Sequence, residues 1–159
     1  MNPIYIVLIV IGALLLLVAS LYLFAIKPRR KRKEMDKFKG WRYAHRGLHN
    51  DQASENSMTA FENAVKKGYG IEIDVRFSKD GELVVFHDET LKRVCGIDKR
   101  VVDLTVAQLK EINLGNTEDT IPTFKEFLEF VDGRAPLLIE IKQDQGEGNV
   151  AFGACQMLK

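Results

Sequence analysis

Ile71-Glu72-Ile73-Asp74-Val75-Arg76-Phe77 runs into Ser78-Lys79-Asp80-Gly81-Glu82 and then Leu83-Val84-Val85-Phe86-His87, and the fold turns on how this stretch is read. Strict alternation sends Ile71, Ile73 and Val75 to one side of an extended chain, and Glu72, Asp74 and Arg76 to the other. The stretch predicts a strand with one charged face. Asp80-Gly81 is a strong two-residue turn signal before a second extended run, Glu82 to His87. With those two residues as the loop, the expected register sets Asp74 opposite His87.

Working outward, Trp41 to Arg46 predicts an earlier strand, and Ser57 to Lys67 a helix whose apolar face is Met58, Phe61 and Val65. Gly68 fits the stop of that helix. Downstream, Thr105 with Gln108 and Thr123 with Glu126 are capping boxes that predict two helix starts. Leu137 to Lys142 is a further β-rich run, and another helix is expected to begin near Asn149. Strands alternating with helices imply an α/β fold. The polar residues cluster at the strand ends: His45 and Arg46, Glu72 and Asp74, His87, then Glu140 and Lys142. Charged groups at the C-terminal ends of successive strands are how an α/β barrel builds an active site.

These residue types suggest specific chemistry. Glu72 and Asp74, two apart on a strand, project to one side, and with Glu140 they offer oxygen ligands suited to Mg²⁺ or Ca²⁺. His45 and His87 can act as general acid and general base near neutral pH. Arg46 can grip phosphate as a fork, and Lys142 can neutralise a developing oxyanion. His49 is read as a surface or supporting residue.

The series His45-Arg46-Gly47, Glu55-Asn56, Glu72-Ile73-Asp74, Phe86-His87-Asp88 and Ile139-Glu140-Ile141-Lys142 resembles the glycerophosphodiester phosphodiesterase family in order, spacing and strand context. Leu91, Arg93 and Val102-Asp103-Leu104-Thr105 with Leu109 resemble that family's insertion after the histidine. Ser54 and Ser57 depart from the proline and threonine that often flank Glu55-Asn56, and Cys95 stands where threonine is common. The resemblance implies a TIM-barrel-type phosphodiesterase with His45 and His87 as catalytic acid and base. It implies Glu72, Asp74 and Glu140 as ligands of a divalent cation, and Arg46 and Lys142 as phosphate contacts. Glu55 would support Arg46 or a histidine. The implied reaction converts a glycerophosphodiester to glycerol 3-phosphate and an alcohol by way of a cyclic phosphate.

The rest of the chain sets the context. Residues 1–26 carry no charged side chain, so all 23 basic and 22 acidic residues fall in 27–159. The apolar run from Ile4 to Ile26 would make a helix of roughly 35 Å, enough for a hydrocarbon core of about 30 Å. It reads as a retained membrane anchor, because a cleaved signal would need a basic start and a small-residue cleavage site. Six basic residues, Lys27, Arg29, Arg30, Lys31, Arg32 and Lys33, follow it. Such a flank stays cytoplasmic, which puts the N-terminus outside and the remaining chain inside.

Residues 1–26 are thus expected to be the anchor, 27–39 a basic juxtamembrane linker, and 40–159 the N-terminal part of a phosphodiesterase domain. From Gly40 onward there are 15 basic and 20 acidic residues, which argues against a nucleic-acid partner. Cys95 and Cys155 have no metal-ligand or redox spacing and read as reduced thiols. A complete barrel of this type takes about 250 residues, so an incomplete half barrel of at most four strands, preceded by one transmembrane helix, is expected. Two alternatives stand beside glycerophosphodiester hydrolysis: a non-catalytic half-barrel binding module, and lysophospholipase D-type action on lysophospholipids at the bilayer. The oligomeric state is open.

Overall fold

The computed structural model describes residues 2–26, 33–143 and 148–158. The basic residues from Lys27 to Arg32 lie outside the described residues. The chain divides into two compact units, Met1–Lys39 and Gly40–Lys159.

The first unit is dominated by helix α1, Pro3–Ala25. Asn2 caps it by accepting a bond from the Ile4 amide at 3.0 Å, and Pro3 occupies the first turn, where a missing N–H costs nothing. Its mean hydropathy is 3.0 and none of it is buried. A short 3₁₀ segment follows at Lys33–Phe38.

The second unit is built on strand β2, Gly70–Phe77. Strand β1, Tyr43–His45, and strand β4, Leu137–Ile141, both pair parallel to it, while strand β3, Leu83–Val85, runs antiparallel. Helix α2, Met58–Lys66, starts at its N-cap Ser57, whose hydroxyl accepts from the Ala60 amide. The short helices α3, Lys92–Cys95, and α4, Val106–Leu109, follow β3. Helix α5, Phe124–Val131, precedes β4, and α6, Val150–Met157, follows it with Asn149 as N-cap. Both expected capping boxes form, at Thr105 and at Thr123.

Two apolar clusters take the two faces of the β2–β3 ladder. Ile71, Ile73 and Val75, with Leu83 and Val85, pack against Phe61 and Ala64 of α2, Phe124, Phe127 and Val131 of α5, and Val150 and Ala154 of α6. The Phe61 and Phe127 rings meet edge to face with centroids 4.6 Å apart. On the other side Val84 and Phe86 join Leu91, Val101, Leu104, Leu109, Leu114 and Ile121, which form the core of the segment between β3 and α5. The charged side of β2 is therefore enclosed too: Glu72, Asp74 and Arg76 are all buried.

The hairpin departs from the register expected of a two-residue turn. Val75 pairs with Val85, Arg76 with Val84 and Phe77 with Leu83, and the Phe86 amide donates to the Asp74 carbonyl. Asp74 thus faces Phe86 instead of His87. The Ser78 amide bonds the Glu82 carbonyl at 2.9 Å, leaving Lys79, Asp80 and Gly81 as a three-residue loop. Gly81 supplies the left-handed position, at φ +77°, that closes such a loop. Asp80 turns its carboxylate away to cap the Val106 amide at 3.1 Å, and the Lys79 amide bonds the Leu104 carbonyl. Long-range partners, invisible in the local pattern, chose the longer loop.

Candidate active site

The parallel register sets the polar face of the sheet. His45 lies beside Glu72 on β1 and β2, while Leu138 and Glu140 of β4 lie beside Glu72 and Asp74. The carboxylates of Glu72, Asp74 and Glu140 each offer an oxygen within 4.8 Å of the others. Asp74 is completely buried, and its Oδ1 faces the Lys142 ammonium. The Lys142 ammonium balances that oxygen by charge, 3.2 Å away, and also bonds Glu140 Oε1 at 2.6 Å. Burial opposes the ammonium charge, yet the two carboxylates more than compensate and raise the Lys142 pKa. A buried carboxylate converging with two others fits a hard divalent cation, whose ligands are oxygens.

Arg46 lies just beyond β1, not within it, in the left-handed region at φ +57°. Its amide donates to Glu72 Oε2 at 2.9 Å, its Nη1 to Glu55 Oε1 at 2.9 Å, and its Nε sits 3.4 Å from Asp74 Oδ2. The turn is held open by Gly47 at φ +80°, where an added Cβ would meet the Ala60 Cβ at 2.9 Å. His45 is the most open of these groups, with 68% of its side chain exposed and its Nε2 4.0 Å from Glu72 Oε2.

His87 enters from the opposite end of the network. Its Nδ1 contacts Asp88 Oδ1, and the Asp88 carboxylate accepts two bonds from Arg93, which also donates two to Glu55. Burial works against ionisation of Asp88, but Arg93 and His87 outweigh it and hold the carboxyl at about 2. Glu55 is likewise held below its ordinary range, chiefly by its bonds to Arg93. His87 thus meets Asp88, and from Asp88 a chain of alternating charge runs through Arg93, Glu55, Arg46, Asp74 and Lys142 to Glu140.

All eight residues expected from the sequence stand along this chain or beside it; His87 joins it through Asp88 and not across the hairpin. Among the described residues, His49 makes no hydrogen bond or ion pair with these carboxylates. Two supporting residues have a weaker signal in the sequence. Asn56, 1% exposed and at φ +55°, donates its amide to Asp74 Oδ2 at 3.1 Å. Asparagine tolerates this backbone better than most residues, which was the available clue. Arg76 is 3% exposed and its guanidinium donates to the carbonyls of Phe86 and His87, fixing the backbone that carries the histidine. Alternation marked Arg76 only as one more charge on the polar face.

Parallel strands with helices packed on one face and carboxylates gathered on the other define an α/β-barrel fold, present here in part, with a candidate metal-binding site. The Glycerophosphoryl diester phosphodiesterase family matches residues 45–158, and the chain belongs to that family. It is 40% identical over 107 residues to a glycerophosphodiester phosphodiesterase of Bacillus altitudinis, covering 63% of this chain and 43% of that protein. A human lysophospholipase D is 33% identical over 126 residues, covering 79% of this chain and 39% of that one. An Oleispira antarctica phosphodiesterase, solved in complex with the product sn-glycerol-3-phosphate, superposes with a TM-score of 0.69 at 31% identity, covering 77% of this chain and 53% of that chain. The chain thus spans about half the length of the relatives it matches.

Proposed function

We propose that the protein hydrolyses glycerophosphodiesters to glycerol 3-phosphate and an alcohol at a membrane surface, using a divalent cation, Mg²⁺ or Ca²⁺. The observation that carries this reading is the convergence of the Glu72, Asp74 and Glu140 carboxylates, each offering an oxygen within 4.8 Å of the others, with Asp74 fully buried. Those three carboxylates would hold the cation, which when bound would polarise the phosphate and the neighbouring glycerol hydroxyl. Arg46 and Lys142, whose cations border the same carboxylates, bind the phosphate oxygens. Glu55 orients Arg46. One of His45 and His87 takes the proton of the attacking hydroxyl as the other protonates the leaving alcohol, and water then opens the resulting cyclic phosphate to glycerol 3-phosphate. The product held by the Oleispira antarctica relative supports the substrate class.

Residues 1–26 serve as the anchor, 27–39 as a basic linker and 40–159 as part of the catalytic domain. The length and apolarity of α1 support the anchor. The basic run after it supports an N-terminus outside and a catalytic region in the cytoplasm. A second reading, action on lysophospholipids, draws on the human lysophospholipase D relative together with that anchor.

Calorimetric titration of Mg²⁺ and of Ca²⁺ into the protein should reveal one site that Glu72→Gln removes. Release of glycerol 3-phosphate from glycerophosphocholine should stop with EDTA, and turnover that survives chelation would overturn the reading. A lysophospholipid assayed in parallel separates the two substrate classes. Cation binding with no hydrolysis of either would favour a binding module.

A further inference from the structure

The Arg93 guanidinium spans two carboxylates with four N–H donors. Nη1 and Nη2 reach Glu55 Oε2 and Oε1 at 2.9 and 2.5 Å, while Nε and Nη2 reach Asp88 Oδ2 and Oδ1 at 2.6 and 3.1 Å. Arg93 belongs to α3, which is carried by the second apolar cluster and fastened beneath by Leu91, wholly buried. Glu55, by contrast, sits in the loop after β1 and also holds Arg46. A guanidinium can serve two carboxylates at once in fixed directions, which an ammonium cannot.

The consequence falls on His87. Asp88 is ionised at neutral pH and can only accept, so the contact between its Oδ1 and His87 Nδ1 requires the proton to be on Nδ1. Nε2 is then the bare nitrogen, and Arg76 fixes the ring's backbone by bonding the His87 carbonyl at 2.8 Å.

We infer that Arg93 is a positioning residue: anchored on Glu55, it holds Asp88 where Asp88 keeps His87 in the Nδ1–H form, with Nε2 presented to the substrate. The segment between β3 and α5 is by this account part of the active site. The inference rests on the catalytic role proposed for His87 but is testable without turnover.

The test is ¹⁵N NMR of the imidazoles in the full chain in detergent micelles, at a pH where His87 is neutral, with His87→Gln used to assign the signal among the three histidines. The wild type should be mainly Nδ1–H. Arg93→Met should shift His87 towards the Nε2–H form that an unconstrained histidine side chain favours, as should Asp88→Asn. Arg93→Lys, which keeps the charge but not the fork, should produce a partial shift, and it carries the test if Arg93→Met does not fold. An unchanged tautomer population in a folded Arg93 variant would overturn the inference and reduce the cluster to an ion pair. Failure of the wild type to hydrolyse substrate would instead count against the catalytic role of His87, leaving the tautomer result intact.

Discussion

Asn56 combines two demands in one buried residue: a left-handed backbone at φ +55° and an amide bond to Asp74. Asn56→Ala loses both, and a cost of about 2–4 kcal/mol in urea unfolding is expected from a lost bond to a charged group plus backbone strain. Asn56→Gly keeps the backbone and loses only the bond, so it should fall between the two. At Asp88 and Glu55 the sign of the pH effect follows from pKa values that are lower in the folded chain than in the unfolded one. The stabilisation is complete above the ordinary carboxylate range and is lost as the pH falls. For Asp88 the window runs from 3.8 down to about 2. Arg93→Met raises both carboxyls towards ordinary values, so its stability, measured by denaturant melts across that window, should fall less with acid than that of the wild type.

At the level of elements, α5 ties the helical layer to the sheet. Phe127 is fully buried against Phe61, and Phe127→Ala should cost about 3–5 kcal/mol of unfolding free energy in denaturant melts. Thr123→Ala removes the N-cap of the same helix and should cost about 0.5–2 kcal/mol. That cap was legible in the sequence because both partners lie within four residues of each other. The helix starts near Ser57 and Asn149 were legible as well, though not their capping bonds, and so was the apolar side of β2, where alternation alone separates core from site. The hairpin register was not legible, because Asp80 and Lys79 bond Val106 and Leu104 from a distant segment. Period-two spacing put Glu72 and Asp74 on one side, and only the polar residues at the other strand ends, Glu140 among them, turned that pair into a candidate site. The link from His87 to the rest required knowing that α3 brings Arg93 between Asp88 and Glu55, 38 residues away from Arg93 in the chain.

For the whole molecule, the proposed topology makes a direct prediction about Cys155, which is exposed, while Cys95 is only partly so. A membrane-impermeant maleimide should label Cys155 in inside-out vesicles and leave it unmodified in right-side-out ones; the reverse pattern would place the catalytic region outside. The chain should also stay with membranes through high-salt and alkaline washes and leave them only with detergent, as expected of α1 if it crosses the bilayer. The three-residue loop of the β2–β3 hairpin bears on how such a molecule can vary over time. Alternation gives each strand position a parity, and the loop length carries that parity from β2 into β3. Losing one residue between Ser78 and Glu82 would exchange the sides of Val84 and Val85, so that Phe86 left its cluster and the chain reached His87 from the helical layer. Single-residue insertions and deletions in this surface turn should therefore be selected against as severely as a core substitution, while the identity of Lys79 is free to drift.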